Sequence, residues 1–386
     1  MRERLLGILG SPTLTNGVFA RALIARGIEA RILWPGEAVE LLGPGDVALV
    51  RLDVLPSLDG LEPGLELVPE LERRGVRVLN RPDALLGAHD KRETARLLAA
   101  AGLPHPWTWH VPAAGPLPEL EFPLVLKPRF GSWGRDVFLC PDRSSLGRRL
   151  GEVEGRQWFR RHGALAQVYV PHGDRDLRLL VAGSRVVGAT VRIAAPGEWR
   201  TNVSLGGRLE PALPPPAARA VAAAAARAIG SDLVGIDLLP DGVGGYVVLE
   251  LNGAVDFDYR YELPAGDLCS EIVSALGLEE LAAIPHAGSG WSPMLRALDR
   301  ANMQAKEANV TKKESTSAKP GDVVVISGRA VGDTPRLGEI VEVLGGAEHE
   351  HYRVRWEDEH ESIFYPGTDA VIRRRERVPR AVKPAR

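Results

Sequence analysis

The chain has 386 residues, 45% of them hydrophobic and 25% charged, and a formal net charge of −2. This balance excludes a disordered or fibrous protein and is sufficient for two or three globular domains. The small net charge gives no overall attraction toward nucleic acid or membrane. Cys140 and Cys269 lie far apart without a CxxC motif, which excludes a disulfide scaffold and a thiolate metal site. No apolar run reaches the length of a signal-peptide core or a membrane span, so we expect a cytoplasmic protein.

Lysine is rare in the first four-fifths of the chain. Residues 1–305 contain only Lys91 and Lys127, although the whole chain has 48 Lys and Arg. Because arginine replaces lysine readily on a surface, a retained lysine indicates a site that needs a compact ammonium group. Chance is the alternative explanation.

The first 85 residues alternate short apolar strands with helical segments. The pattern predicts strands at 5–9, 30–34, 46–50 and 76–79, and a helix over 17–26. Gly7, Gly10 and Ser11 do not form a GxGxxG motif. We therefore expect an open α/β domain over 1–85 without a dinucleotide-binding loop.

Residues 86–286 form the next predicted domain. Helices are expected at 91–101 and 216–229, and strands at 123–127, 137–139, 164–170, 176–191 (a hairpin), 234–239 and 246–251. The last two strands form a hairpin across a turn that is rich in glycine.

The composition changes after about residue 286. We expect a helix from Ser292 to Lys306 and a polar linker, together 287–319, then a small β-barrel over 320–372 and a basic tail over 373–386. The tail either remains in solvent or binds an anionic partner. The barrel's aromatic residues either contact a partner or fill a small core; they are Tyr352, Trp356, Phe364 and Tyr365.

Three oxygen-bearing side chains converge on the predicted hairpin. Glu250 and Asn252 share one face of their strand because their spacing is two residues, and the turn brings Asp237 to the same face. Three such donors in a largely apolar setting suit Mg²⁺. The alternative is that the carboxylates are neutralised by arginines such as Arg178.

A glycine-rich loop follows Lys127 and contains Gly131, Ser132 and Gly134. A strand, a lysine and such a loop can place backbone N–H groups and an ammonium on phosphates. It is not a Walker loop, since no GKS or GKT follows and no helix begins there. A plain hairpin connection is the alternative.

These residues belong to a longer series that resembles the ATP-grasp ligases, in particular the RimK-type α-L-glutamate ligases and their LysX-type relatives. The series covers roughly residues 1–285. It consists of Lys91, Lys127, Gln167-Val168-Tyr169-Val170, Asp176-Leu-Arg178, Glu198-Trp-Arg-Thr-Asn202-Val-Ser-Leu-Gly-Gly207, Asp237 and Glu250-Leu-Asn252. The C-terminal piece resembles small actinobacterial domains of unknown function with an SH3-like barrel.

The resemblance implies an α/β fold of the α+β ATP-grasp type. The expected architecture is an N-terminal open α/β domain, a two-subdomain ATP-grasp domain that holds ATP, and a small C-terminal SH3-like β-barrel. The implied nucleotide contacts are Lys91, Lys127, Gly131, Ser132, Gly134, Gln167, Val168, Tyr169, Val170 and Asp176. The implied ligands of two Mg²⁺ ions, for which Mn²⁺ can substitute, are Asp237, Glu250 and Asn252. Arg178, Arg200 and Asn202 are the candidate catalytic residues.

Two departures from the family pattern concern its specificity. Val168 stands where the family often has a glutamate that contacts adenine. The usual Asn-x-Ser-Pro-Gly is replaced by Asn252-Gly-Ala-Val-Asp-Phe257. We therefore expect a conserved chemistry at the ATP end and a different substrate end.

The implied activity is ligation of a carboxylate to an amine through an acyl phosphate. Glutamate or another amino acid would be joined to a small-molecule or carrier-protein carboxylate. The alternatives are a non-catalytic nucleotide-binding module and a nucleic-acid-associated protein that acts through the barrel and tail. We expect no membrane partner, do not expect nucleic acid to be the main partner, and leave a homo-oligomer open. No side chain stands out as the general base for the amine.

Overall fold

The computed structural model describes residues 4–264, 266–282, 318–326, 336–344, 351–356, 361–364 and 370–373. The chain divides into two compact units, Met1–Lys306 and Glu307–Arg386. The predicted helix from Ser292 to Lys306, nearly all of the linker and most of the basic tail lie outside the described residues.

The first unit begins with a four-stranded parallel sheet of order β2-β1-β3-β4. Its elements are β1 (Leu5–Leu9), α1 (Leu14–Ile24), β2 (Glu29–Leu33), α2 (Pro35–Leu41), β3 (Val47–Val50), α3 (Val68–Arg73), β4 (Arg77–Leu79) and α4 (Pro82–His89). β1 and β3 are buried along their whole length, which agrees with their continuous apolar sequences. The open α/β arrangement predicted for this part of the chain is confirmed.

A second sheet is antiparallel and has the order β5-β8-β6-β7. Its elements are α5 (Lys91–Ala100), β5 (Thr108–Val111), β6 (Leu124–Pro128), β7 (Phe138–Cys140), α6 (Arg143–Val153), α7 (Gln157–His162) and β8 (Ala164–Val168). The carboxylate of Asp90 accepts hydrogen bonds from the N–H groups of Arg92 and Glu93, so it fixes the start of α5 at Lys91.

A third sheet has the order β11-β10-β9-β12-β13 and is also antiparallel. Its elements are β9 (Arg175–Ala182), β10 (Arg185–Ile193), β11 (Arg208–Pro211), α8 (Pro216–Ile229), β12 (Leu233–Pro240), β13 (Tyr246–Asn252) and α9 (Leu268–Leu276). The alanine face of α8 packs on one side of this sheet, and α9 joins the sheet to the core of the N-terminal domain. Both predicted hairpins are present.

The second unit contains a five-stranded antiparallel sheet of order β17-β16-β15-β14-β18. The strands are β14 (Val323–Ile326), β15 (Arg336–Leu344), β16 (His351–Trp356), β17 (Glu361–Phe364) and β18 (Ala370–Arg373). Tyr352 and Trp356 are buried in its core with Val324, Ile340 and Val354. Of the two alternatives for the aromatic residues, the small core therefore applies to Tyr352 and Trp356.

Candidate active site

The predicted carboxylates lie side by side on the third sheet. Asp237 of β12 is directly opposite Glu250 of β13 and, on its other side, opposite Arg178 of β9. Asn252 lies two residues beyond Glu250 and so faces the same side of β13. The row that the sequence predicts on one face of the sheet is therefore present.

Asp237 is 2% exposed and is held by two arginines. Arg178 donates from Nε to Oδ1 over 2.7 Å and from Nη2 to Oδ2 over 2.8 Å, and Arg192 donates from Nη2 to Oδ2 over 2.6 Å. Burial by itself raises the pKa of Asp237, but the attraction of Arg178 and Arg192 outweighs it and holds the pKa below its usual range. The alternative of carboxylate–arginine pairing thus applies to Asp237.

Arg192 also binds Asp176, so the two buried aspartates share one guanidinium. Its Nε donates to Asp176 Oδ1 over 2.8 Å, and the hydroxyl of Thr201 donates to Asp176 Oδ2 over 2.6 Å. Asp176 therefore connects β10 with the segment that carries Thr201. The family resemblance included Thr201 without a role for it. Sequence reasoning missed Arg192, for which a charged residue inside the apolar strand β10 was the available signal.

The two lysines face the carboxylates. Lys127 is 5% exposed, and its Nζ donates to Gln167 Oε1 over 2.8 Å. Burial lowers the pKa of Lys127 to about 8, with Lys91 acting in the same direction and Glu250 and Asp237 opposing. Lys91 Nζ donates to the carbonyl of Gly131 over 2.6 Å and lies 3.6 Å from Glu250 Oε2. Both ammonium groups thus belong to one charged centre.

The glycine-rich loop is fixed to the segment 198–205. Arg200 Nη1 donates to the carbonyls of Gly134, over 3.0 Å, and Val137, over 3.2 Å, and the hydroxyl of Ser204 donates to the Trp133 carbonyl over 2.8 Å. Gly134 has a φ of +69°, and a Cβ there would lie 2.7 Å from Asn202 Oδ1. Glycine is therefore required at this contact, which closes one side of the site.

The predicted hinge lies at the end of β8 and has an aromatic border. The ring centroid of Tyr169 lies 5.9 Å from that of Trp199 and 6.0 Å from that of His172. His172 also connects the two segments, since its Nδ1 is 2.8 Å from the carbonyl of Val170 and its Nε2 is 3.1 Å from that of Trp199. The family resemblance included Trp199 without a role for it, and sequence reasoning did not identify His172.

These groups surround one cleft of about 780 Å³, its open mouth included. Most of the predicted site residues line it: Lys91, Lys127, Gly131, Ser132, Gly134, Gln167, Val168, Tyr169, Val170, Asp176, Arg200, Asn202, Asp237 and Glu250. Arg178 and Asn252 do not line it. Arg178 instead acts through Asp237, whose carboxylate it holds.

The oxygen donors fit a hard divalent cation. Oδ1 of Asp237 accepts one hydrogen bond, and Oδ1 of Asn252 accepts one from the N–H of Ala254 over 2.9 Å, so each keeps a lone pair. Glu250 adds a carboxylate that lines the cleft. The described residues contain no cluster of three or more His, Cys, Asp or Glu side chains able to hold a metal. A site here would therefore use two carboxylates and one amide, a set that suits Mg²⁺.

Comparison with known proteins identifies the family. Residues 88–276 match the RimK-like ATP-grasp domain, and residues 316–372 match a domain of unknown function, DUF1918. Tetrahydromethanopterin:α-L-glutamate ligase of Methanosarcina acetivorans is 30% identical over 220 residues, which cover 53% of this chain and 68% of that protein. The chain belongs to the RimK-like ATP-grasp family. Its predicted fold class and the fusion to a small C-terminal domain are confirmed.

Another relative of this RimK-like chain is matched over a shorter part of its length. β-Citrylglutamate synthase B of Mus musculus is 33% identical over 226 residues, 55% of this chain. The chain spans 56% of the length of that relative. The crystal structure of D-alanine–D-alanine ligase from Bacillus anthracis has a TM-score of 0.51 at 15% identity and covers 73% of this chain and 96% of the ligase chain. This likeness shows the ATP-grasp fold.

No helix within the described residues has the length and apolar character needed to cross a bilayer.

Proposed function

We propose that this RimK-like protein is an ATP-dependent, ADP-forming carboxylate–amine ligase. The observation that supports the proposal is the convergence of Lys91, Lys127, Asp237 and Glu250 in one cleft beneath the glycine-rich loop. Two ammonium groups beside two carboxylates form the charge pattern that a metal–triphosphate complex needs. A binding module without catalysis would not require this set.

The proposed reaction has two steps. A substrate carboxylate oxygen attacks the γ-phosphorus of ATP, the bond to the bridging oxygen breaks, and ADP and an acyl phosphate form. A neutral amine then attacks the acyl carbon, the C–O bond to phosphate breaks, and inorganic phosphate leaves with one proton of the amine. The protein contributes mainly by orienting the reactants and neutralising charge.

The residues of the cleft divide this work by position. Lys91 and Lys127 would contact the phosphates, with Gly131, Ser132 and Gly134 above them, and the backbone of residues 168–170 would bind adenine. Asp237, Glu250 and Asn252 would hold Mg²⁺, which neutralises phosphate charge when bound. Arg178 and Asp176 are positioning residues, because their side chains engage Asp237 and Arg192 respectively.

Arg200 and Asn202 lie beside the glycine-rich loop, where the transferred phosphoryl group would lie. Arg200 pairs with Glu198, Nη2 to Oε2 over 2.8 Å, and this pairing lowers the pKa of Glu198 to about 2. A fixed guanidinium at this point can stabilise charge on the acyl phosphate without moving.

Val168 offers no polar side chain, so adenine recognition rests on backbone groups.

The names of two relatives support a substrate class. The names of the relatives in Mus musculus and Methanosarcina acetivorans both include glutamate. We therefore place L-glutamate first as the amine substrate, with citrate or a carrier-protein carboxylate as the partner. The predicted cytoplasmic location and the predicted domain boundaries form part of this proposal.

Thermal scans and a coupled ADP assay test the proposal. Mg·ATP should raise the melting temperature of the full chain more than Mg·GTP, because a ligand that binds only the native state stabilises it. ADP release should then require both a candidate carboxylate and an amino acid in the assay. A chain that shows no shift with Mg·ATP is not an ATP-grasp ligase, and ATP binding without any substrate-dependent ADP favours the non-catalytic module.

A further inference from the structure

A buried arginine follows β3 in the N-terminal domain. Arg51 is 2% exposed, and its Nε and Nη2 donate to Asn16 Oδ1 and to the carbonyl of Val255, each over 2.7 Å. Its Nη1 is buried and has no hydrogen-bond partner among the described residues. An unfilled donor on a buried charge is costly, so Nη1 is a position where a ligand acceptor would be stabilised.

Two carboxylates accompany this arginine. Burial lowers the pKa of Arg51 to about 10, and the attraction of Asp256 and Asp53 opposes the effect. Asp53 Oδ1 accepts from the N–H of Val54 over 2.7 Å, and Asp256 Oδ1 accepts from Thr15 Oγ1 over 2.6 Å. Within the described residues the second oxygen of each carboxylate has no hydrogen-bond partner. Asp256 is exposed and Asp53 is half-buried, so solvent reaches this edge of the cluster.

Glu62 is the third carboxylate nearby and is already engaged. It accepts hydrogen bonds from the N–H groups of Ser11, over 3.3 Å, and Asp53, over 3.2 Å, and from the Ser11 hydroxyl. Its role is therefore to join the segments that follow β1 and β3. The groups that remain for a ligand are one guanidinium nitrogen and two carboxylate oxygens.

The cluster lies where an α/β sheet normally binds ligands. Gly10 and Arg51 follow β1 and β3, the adjacent strands from which the chain departs in opposite directions across the sheet. The carboxyl ends of such strands form a crevice at the topological switch point. A Cβ at Gly10 would lie 2.5 Å from the Arg51 carbonyl, so a glycine is needed for the two segments to meet.

The cluster also contacts the segment that follows Asn252, the last of the proposed metal ligands. Val255, which accepts from Arg51, lies three residues beyond Asn252. His89 is buried beside Gly253, where a Cβ would lie 3.2 Å from its Nε2. Burial lowers the pKa of His89 to about 3, with Lys91 and Arg51 acting in the same direction, so this ring is neutral.

We propose that Arg51, Asp53 and Asp256 form the subsite for the amine substrate and that this substrate is an α-amino acid. The α-carboxylate accepts from Arg51 Nη1, and the α-ammonium lies between the free oxygens of Asp53 and Asp256. The inference rests on the proposed ligase function and adds where the amine binds. A zwitterion matches a cluster of one cationic donor and two anions. A dianion would be repelled by the two carboxylates, because it has no ammonium group to place between them.

The same arrangement supplies the proton acceptor that the reaction needs. Burial raises the pKa of Asp53 to about 7; the Val54 N–H and Arg51 oppose this effect, and Asp256 and Glu62 reinforce it. The ammonium transfers one proton to the Asp53 carboxylate, and the neutral amine attacks the acyl phosphate. The second proton leaves with phosphate as HPO₄²⁻, and Asp53 returns its proton to water.

Calorimetry of the full chain with a non-hydrolysable ATP analogue and Mg²⁺ tests the subsite. The probes are the common α-amino acids, and the best binder is then compared with its α-hydroxy acid. The wild type should prefer the amino acid by about tenfold or more, the effect of one charge-assisted contact. Asp53→Asn should reduce the preference for the amino acid to about twofold. Arg51→Lys should weaken the binding of the amino acid and of its α-hydroxy acid about equally. Asp83→Asn, an exposed aspartate in the first turn of α4, is the matched control.

The outcomes separate this inference from the proposed function. A wild type that binds no nucleotide overturns the ligase and the subsite together. A wild type that binds nucleotide but no α-amino acid overturns the subsite alone, as does an Asp53→Asn protein that retains both nucleotide affinity and the tenfold preference. A variant that loses nucleotide affinity is replaced by Asp256→Asn, whose side chain is exposed, with the same expected loss of preference.

Discussion

At the residue scale, the site separates charges that hold the structure from charges that remain available. Asp237 is enclosed and balances Arg178 and Arg192, whereas the side chain of Glu250 is 25% exposed and, among the described residues, forms an ion pair only with Lys91, at 3.6 Å. Removal of a buried partner leaves uncompensated charge, but removal of a solvated one does not. Two residues with the same assigned role should therefore differ in their effect on stability.

Asp237→Asn and Glu250→Gln form a matched pair for this difference. Both keep the shape of the side chain and remove one negative charge, and both should reduce ligation by a factor of about 100 or more, as loss of a metal ligand does. Only Asp237→Asn should lower the free energy of unfolding, by about 3–5 kcal/mol, because two guanidiniums lose their shared carboxylate. Urea unfolding and ADP release measure the two effects. Glu40→Gln, on the exposed face of α2, is the control, and equal stability of both variants would contradict the assignment.

The raised pKa of Asp53, about 7, predicts a pH dependence of stability. The folded chain retains a proton that the unfolded chain releases near pH 3.8, so the folded state loses stability as pH rises from about 4 to 7. Asp53→Asn removes this loss. The melting temperature of Asp53→Asn minus that of the wild type should therefore rise between pH 5 and pH 7 and stay constant above pH 7. A difference that stays constant across thermal melts from pH 5 to 8, as expected for the control Asp83→Asn, would show that Asp53 titrates normally.

At the element scale, the segment 198–205 holds the glycine-rich loop in place through hydrogen bonds. Arg200 donates to two loop carbonyls, and Ser204 donates to a third. The glycine-rich loop was identified from its residue types, and the segment around Arg200 through the family resemblance. It could not show that they bind each other, because the contact joins residues more than sixty positions apart across two sheets.

Arg200→Gln should weaken the attachment of the glycine-rich loop to the segment 198–205. Gly134 and Val137 would lose a charged donor, and Glu198 would lose its partner. The free energy of loop opening should therefore fall by about the contribution of one charged hydrogen bond. We expect a rise of about tenfold in KM for ATP and faster amide hydrogen exchange over residues 131–137. Arg208→Gln, which breaks an exposed pair with Glu210, is the control. Unchanged exchange with a reduced kcat would instead place Arg200 on the phosphoryl group alone.

The parts of the site that follow local rules were predictable, and the parts set by packing were not. The spacing of Glu250 and Asn252 and the turn before them place three donors on one face, because side chains alternate along a strand. The pairing of Arg192 with both Asp176 and Asp237 depends on the register of three strands, and the position of Trp199 depends on a loop. β5 and β11 were also missed, since each is a four-residue edge strand with a weak apolar pattern.

At the scale of the whole molecule, the two compact units have separate cores. The core of the second unit consists of Val324, Ile340 and Val354 with the two buried aromatic residues, together with Ala318. All of the residues assigned to the cleft and the amino-acid subsite precede residue 283. The physical requirements of the proposed reaction are thus met within the first unit.

A chain that ends near Ala308 should therefore fold and keep kcat/KM for small substrates within about twofold of the full chain, because no group that contacts them is removed. It should lose affinity for a large or anionic partner if the basic residues after 372 take part, and the salt dependence of that loss would identify them. Steady-state kinetics on both chains, with thermal melts as the folding control, measure this. A truncated chain that folds and binds Mg·ATP but shows no ligation would mean that the second unit completes the active site and that the predicted boundary separates parts of one enzyme.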